Sequence, residues 1–206
     1  MSSRVCILDY GSGNVRSVYN MVQSISDDVV ISNAPDDIRN ASHLFLPGVG
    51  AFSAAMAKIN STLPMELIEE EVCGKGKPFL GICVGFQILA DKSDEFGETD
   101  GLGWLSGTVG KISASGVRLP HIGWNDVDIV RECPLLNSFE DNRDFYFVHS
   151  FVFKDIDESQ LLATTTYGET FPCVMGKDNI LGVQFHPEKS QKPGRRMIEN
   201  FLAIQQ

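Results

Sequence analysis

Along the first half of the chain, short apolar runs alternate with segments whose apolar residues recur every three or four positions. Arg4 to Leu8 (RVCIL) reads as a strand buried on both faces. Asn14 to Ser26 places Val15, Val18, Val22 and Ile25 on one helical face, as a 3.6-residue repeat demands. Val29 to Ser32 (VVIS) and His43 to Pro47 (HLFLP) predict two more strands. Phe52 to Ile59 and Leu63 to Lys75 read as helices, Pro78 to Ile82 (PFLGI) as a fourth strand, and Val84 to Leu89 as the start of another helix. Strand and helix in alternation predict an α/β fold. Its mainly parallel central sheet is flanked by helices, because parallel neighbours need a crossover that packs back on the sheet.

The second half is richer in strands. Gly107 to Ile112, Val127 to Val130, Phe145 to Phe153, Leu161 to Thr166, Val174 to Gly176 and Ile180 to Phe185 all carry strand patterns. They predict antiparallel strands added to the parallel sheet. The most polar stretch, Asp91 to Gly101, reads as a surface loop. A last amphipathic helix runs from about Pro193 to Ala203, with Met197, Ile198, Phe201 and Leu202 on its buried side.

Composition narrows the class. The 206 residues are 43% hydrophobic and 21% charged, with no linker, repeat or low-complexity tract, and they predict a single domain over residues 1–206. A net charge of −10 argues against non-specific binding to nucleic acid or to an anionic membrane. The first residues, MSSRVCILDYG, lack a signal-peptide core, and no apolar run is long enough to span a bilayer. The five cysteines are scattered, with no CxxC pair, which disfavours a disulfide framework or a zinc site and predicts a reduced, cytoplasmic protein. Cys6 and Cys173, among apolar neighbours, read as small core residues.

The candidate chemistry starts where PFLGI meets CVGFQ. Gly81-Ile82-Cys83-Val84-Gly85 has the form glycine-x-nucleophile-x-glycine at a strand-to-helix turn. The sharp turn forces the nucleophile into a crowded conformation, and the flanking glycines let neighbouring backbone come close. A helix starting there aims N–H groups at the sulfur, which favours the thiolate, and leaves the Val84 N–H for an oxyanion. On its own the stretch also fits a buried cysteine in a tight turn. A nucleophile needs a base. Of four histidines, His43 reads as a satisfied edge-strand residue, and His121 and His149 lie in PHIGWN and FVHSF. His186 ends the apolar run LGVQFHPEKS, with Glu188 two residues on. Side chains two apart on an extended chain share a face, so Glu188 can hold the imidazole tautomer while His186 serves Cys83. LPGVGAF, Leu46 to Phe52, offers exposed N–H groups after the third strand, though alone it reads as an ordinary turn. DYGSGN, Asp9 to Asn14, has Arg16 where a dinucleotide-binding loop needs its third glycine, which argues against a nicotinamide or flavin site.

GICVGFQ, PGVG and FHPEKS together resemble the triad-type class I glutamine amidotransferases. More narrowly, DYGSGN, PGVGAF, LPHIGWN, FYFVHSF and GVQFHPEKS resemble the glutaminase subunits of imidazole glycerol phosphate synthases, over essentially the whole chain. The resemblance implies a flavodoxin-like sheet and hydrolysis of glutamine to glutamate and ammonia, with no metal or organic cofactor. It implies a partner, a (βα)8-barrel cyclase subunit that uses the ammonia in histidine biosynthesis. Carried over by position, Cys83 is the nucleophile, His186 the acid and base, and Glu188 its orienter. Gln87 and Glu95 match glutamine-contacting positions, and Gly48, Val49, Gly50 and Val84 match the oxyanion region. Ser150 and Phe151 match the segment whose backbone holds the amino-acid end of the substrate. Trp124, Asn125, Lys189 and Ser190 match positions facing the cyclase. The chain departs from the usual pattern at Phe86, commonly methionine, at Phe151, commonly tyrosine, and at Ala90 and Asp91. Alternative readings are a paralogous glutaminase that feeds a surface-sugar amidation enzyme, the glutaminase of another synthase, and a stand-alone cysteine γ-glutamyl hydrolase or peptidase. A non-catalytic module of the same fold would be expected to have lost one of Cys83, His186 and Glu188.

Overall fold

The computed structural model describes residues 4–11, 14–113, 116–139 and 143–205. Ser12 and Gly13 of the DYGSGN motif lie outside these residues. The first half supplies four strands: β1 (Val5–Leu8), β2 (Val29–Ser32), β3 (His43–Gly48) and β4 (Phe79–Cys83). They pair in the order β2-β1-β3-β4, all parallel. Crossovers run through α1 (Val15–Gln23), α2 (Pro35–Asn40), α3 (Phe52–Thr62) and α4 (Met65–Glu69), which continues as a π-helical turn at Glu70–Gly74. One turn of helix, α5 (Val84–Gln87), follows β4. β1, β3 and β4 are buried at every position, as strands covered on both faces must be, whereas the edge strand β2 is half-buried throughout.

The second half adds β5 (Lys92–Ser93), β6 (Thr99–Asp100), β7 (Thr108–Lys111), β8 (His121–Asp126) and β9 (Asp128–Ile129). Then come β10 (Asp144–His149), β11 (Phe151–Lys154), β12 (Leu161–Tyr167), β13 (Glu169–Lys177) and β14 (Ile180–Val183), and the chain closes with α6 (Gln191–Leu202). β14 docks parallel beside β4, and β13, β12 and β9 extend the sheet antiparallel to eight strands. β8 and β10 form a separate antiparallel ribbon, and β11, β7, β5 and β6 a third sheet. No helix of the described residues is long and apolar enough to cross a membrane.

Four sequence expectations need correction, and two elements were not expected. The polar stretch from Asp91 is the β5–β6 hairpin, and it buries Ser93 and Glu95. Phe145 to Phe153 is two strands in two different sheets, parted at Ser150. His43 sits at the start of an internal strand, buried, with Nδ1 2.9 Å from Ser42 Oγ and Nε2 2.9 Å from the Ile204 carbonyl. Burial holds its pKa below the usual range. α5 stops after one turn: the Leu89 and Ala90 N–H groups bond only three residues back, to Phe86 and Gln87, and the Ile88 and Leu89 carbonyls accept from Leu102, Trp104 and Leu105 instead of continuing the helix. Finally, α2 and β8 carry no pattern strong enough to predict them.

Candidate active site

The carboxyl ends of β4 and β14 lie side by side, with Ile82 in register with Val183. In a parallel sheet this edge is where ligands bind. β4 ends in Cys83, whose φ of 57° and ψ of −111° put a non-glycine residue in a strained region. Glycines make that turn possible. A Cβ on Gly85 would lie 1.8 Å from the Leu46 carbonyl oxygen, and one on Gly81 2.5 Å from the Gly85 oxygen. Backbone thus packs directly on backbone, and Gly48 pairs in register with Cys83. With α5 a single turn, the macrodipole invoked from the sequence shrinks, and what remains is the local field of its first N–H groups. The Cys83 thiol is buried, 4.0 Å from the Val148 carbonyl and 3.8 Å from Gln184 Nε2.

His186 lies just beyond β14. Its Nδ1 is 2.7 Å from Glu188 Oε1, and both side chains are 1% exposed. The two do not meet across an extended strand, as the sequence suggested. A 3-10 turn over Pro187–Lys189 brings Glu188 back beneath the ring. Asn14 Nδ2 also donates to Glu188 Oε1 and lies 3.5 Å from His186 Nδ1. The other ring nitrogen, Nε2, is buried and has no well-aligned hydrogen-bond partner, and Cys83 is the neighbour that acts on the ring from that side. Burial pulls the His186 pKa down. Interaction with Cys83 and Glu188 outweighs it and raises the pKa to about 10, favouring an imidazolium beside the sulfur.

Cys83 and His186 open into a cavity of about 520 Å³. Val49, Gly50, Val84, Gln87, Glu95, Ser150, Phe151 and Lys189 share its lining. Gly48 lies buried beneath, in β3. Glu95 is held by the Phe52 N–H, which donates to Oε2 at 2.7 Å. Gln87 Nε2 donates to the Phe151 carbonyl at 2.9 Å and to Gln184 Oε1 at 3.1 Å. Another cavity, about 420 Å³ beside Cys133 and Arg143, is lined by none of these residues.

The four positions expected to face a partner separate. Trp124, on the β8–β10 ribbon, is 48% exposed and in register with Tyr146, and the Lys189 ammonium lies 5.6 Å from the Tyr146 ring centre. Ser190 is fully buried: its hydroxyl accepts from the Tyr146 N–H and donates to the His186 carbonyl. Asn125 turns its amide inward, donating to the Thr166 carbonyl at 2.9 Å. Sequence reasoning passed over Asn14 and Gln184. It also left His149, Phe96, Pro120 and Val148 out of the cavity wall.

The family model described as glutamine amidotransferase class-I matches residues 6–204. The imidazole glycerol phosphate synthase subunit HisH of Zymomonas mobilis is 43% identical, over 98% of this chain and 96% of its own. Subunit HisH 1 of Methanococcus maripaludis is 41% identical, over 97% and 99%. The structure titled PurLQS from Thermotoga maritima superposes with a TM-score of 0.72 over 98% of both chains, at 21% identity, a likeness of fold. With its elbow cysteine and adjacent histidine–glutamate pair on this fold, the chain belongs to the class I glutamine amidotransferases, in the branch of the imidazole glycerol phosphate synthase subunits HisH.

Proposed function

We propose that this chain, as one domain, hydrolyses the side-chain amide of glutamine and passes the ammonia to a cyclase subunit of imidazole glycerol phosphate synthase. The observation that carries the reading is the meeting of Cys83 with the His186–Glu188 pair in a cavity that also presents Gln87 and Glu95. On this reading the Cys83 thiolate attacks the amide carbon. The oxyanion is met by the Val84 N–H and the loop at Val49 and Gly50. Imidazolium His186 protonates the leaving nitrogen, ammonia departs, and a thioester remains. Neutral His186 then takes a proton from water, the hydroxide attacks the thioester, and the thiolate leaves as glutamate forms. Glu188, held by Asn14, keeps the Nδ1 proton in place through both halves.

Ser150 and Phe151 would hold the amino-acid end of glutamine. The face around Trp124, Tyr146 and Lys189 would receive the cyclase, with Asn125 and Ser190 supporting it from below. No metal or organic cofactor enters the chemistry, and a biosynthetic role of this kind belongs in the cytoplasm. The test is release of ammonia and glutamate from glutamine by the chain alone and mixed with a cyclase and its ribonucleotide ligand, with Cys83→Ala as control. Turnover that rises in the mixture and vanishes in the variant supports the reading. Turnover indifferent to this cyclase assigns another acceptor, such as a sugar amidation enzyme, and no turnover of glutamine overturns it.

A further inference from the structure

At the cavity wall His149 meets a second histidine behind it, His121, and the reaction uses neither. His121 on β8 and His149 on β10 are both buried, and His121 Nδ1 lies 3.1 Å from His149 Nε2. The protons in this pair can be assigned from either end. At one end, Asn125 Oδ1 accepts from the Asp126 N–H and Asn125 Nδ2 donates to the Thr166 carbonyl, which fixes the amide orientation. The second Nδ2 proton faces His121 Nε2 at 3.4 Å, so that nitrogen must accept. His121 therefore carries its proton on Nδ1 and donates to His149 Nε2. His149 then carries its proton on Nδ1, which lies 3.1 Å from the Phe151 carbonyl. At the other end, a carbonyl can only accept, which requires the same sense. A second proton on either ring would set two donors face to face. Burial agrees, lowering the pKa of His121 to about 4 and of His149 to about 3.

The terminus of this chain of bonds matters. The Phe151 oxygen receives His149 Nδ1 and, at 2.9 Å, Gln87 Nε2. Both its acceptor sites are filled, which fixes the first peptide of β11, just past the break at Ser150. The His121 ring is itself clamped, stacked at 4.0 Å on Tyr167 and at 5.0 Å on Phe147.

We propose that His121 and His149 are positioning residues, a pair locked in one tautomeric sense that pins the Phe151 carbonyl and so shapes the cavity floor at Ser150 and Phe151. Resting on the glutaminase reading, the brace sets glutamine affinity rather than the chemical step. His121→Phe keeps an aromatic ring in the stack and removes both nitrogens. It is expected to raise KM for glutamine about tenfold, the worth of a buried hydrogen bond, with kcat and the alkylation rate of Cys83 within about twofold of the parent. His121→Gln, whose amide has one acceptor and one donor, is expected to restore most of the KM. An unchanged KM in His121→Phe, or a loss confined to kcat, overturns the proposal. Nitrogen-15 NMR of the uniformly labelled chain at pH 7 provides an arm independent of turnover and of the variants' folding. Both rings are expected as the neutral Nδ1–H tautomer, and an Nε2–H tautomer or a charged ring at either position overturns the brace. If the parent chain turns over no glutamine, the glutaminase reading fails, and the NMR result still decides the brace.

Discussion

His186 and Glu188 meet at 2.7 Å across a single 3-10 turn, with neither side chain more than 1% exposed. A carboxylate so placed holds the Nδ1 proton and stabilises the imidazolium. Glu188→Gln keeps the shape and removes the charge. Glutamine turnover is expected to fall by about 10² to 10⁴, the scale for losing a triad orienter. In the same variant the His186 pKa should drop from about 10, as read by NMR titration. Full turnover, or an unmoved pKa, would refute the role.

The strain at Cys83 makes a second expectation. Its φ of 57° is a conformation that glycine adopts freely and alanine does not. Cys83→Gly should therefore be more stable than Cys83→Ala by about 1 kcal/mol, the reverse of their usual order in regular structure. Both should be inactive on glutamine. Urea unfolding compares them, and an alanine variant as stable as the glycine variant would show that the turn stores no strain.

The elbow glycines can be tested against a control. In Gly85→Ala the new methyl would stand 1.8 Å from a backbone oxygen, where no flexible side-chain end can yield. The expected cost is about 3 kcal/mol. Gly74 has open space around it and no positive φ, so Gly74→Ala should be neutral or stabilising by about 0.5 kcal/mol. Equal effects at the two sites would mean that the close approach of β3 to the elbow is not what selects glycine.

Acid should weaken the fold through the histidine pair. The folded pKa values of His121 and His149, about 4 and about 3, lie below the ordinary 6.5, so unfolding takes up protons between these limits. Their contribution is complete above about pH 6.5 and is lost as the pH falls toward 4, with a slope of about 1 kcal/mol per pH unit for each ring. Urea midpoints between pH 6.5 and 4.5 should fall more steeply for the parent than for His121→Phe/His149→Phe, and equal slopes would contradict the neutral pair. His186 works in the opposite sense. Its raised pKa gives stability that is present below pH 6.5 and fades as the pH rises through about 10.

The parallel half of the fold was legible because its strands are apolar on both faces and its helices keep one clean stripe, as Val18 and Val22 of α1 illustrate. The elbow was legible because only glycine admits backbone contact at Gly81 and Gly85. Elsewhere the signals were tertiary. Strand-forming apolar and aromatic residues continue on both sides of Ser150, so the residue types alone do not mark the change of sheet between β10 and β11. The β5–β6 hairpin reads as a loop because it buries polar Ser93 and Glu95, each satisfied by a bond that sequence does not display. Asn14 and Gln184 are common polar residues, and their value lies in what they touch, Glu188 and the Cys83 sulfur. Ser190 and Asn125 sit in motifs that suggest a surface, yet both turn inward to satisfy backbone groups.

The position of β14 also bears on how the chain is made. It is the last strand in sequence, yet it lies in the middle of the sheet, between β4 and β13. The cysteine ends β4, and the histidine follows the late strand β14 itself. A growing chain that has passed Cys83 cannot bring the His186–Glu188 pair to the thiol until residues 180–188 have emerged and docked. On the glutaminase reading, the nucleophile therefore meets its base only when the last strand completes the sheet.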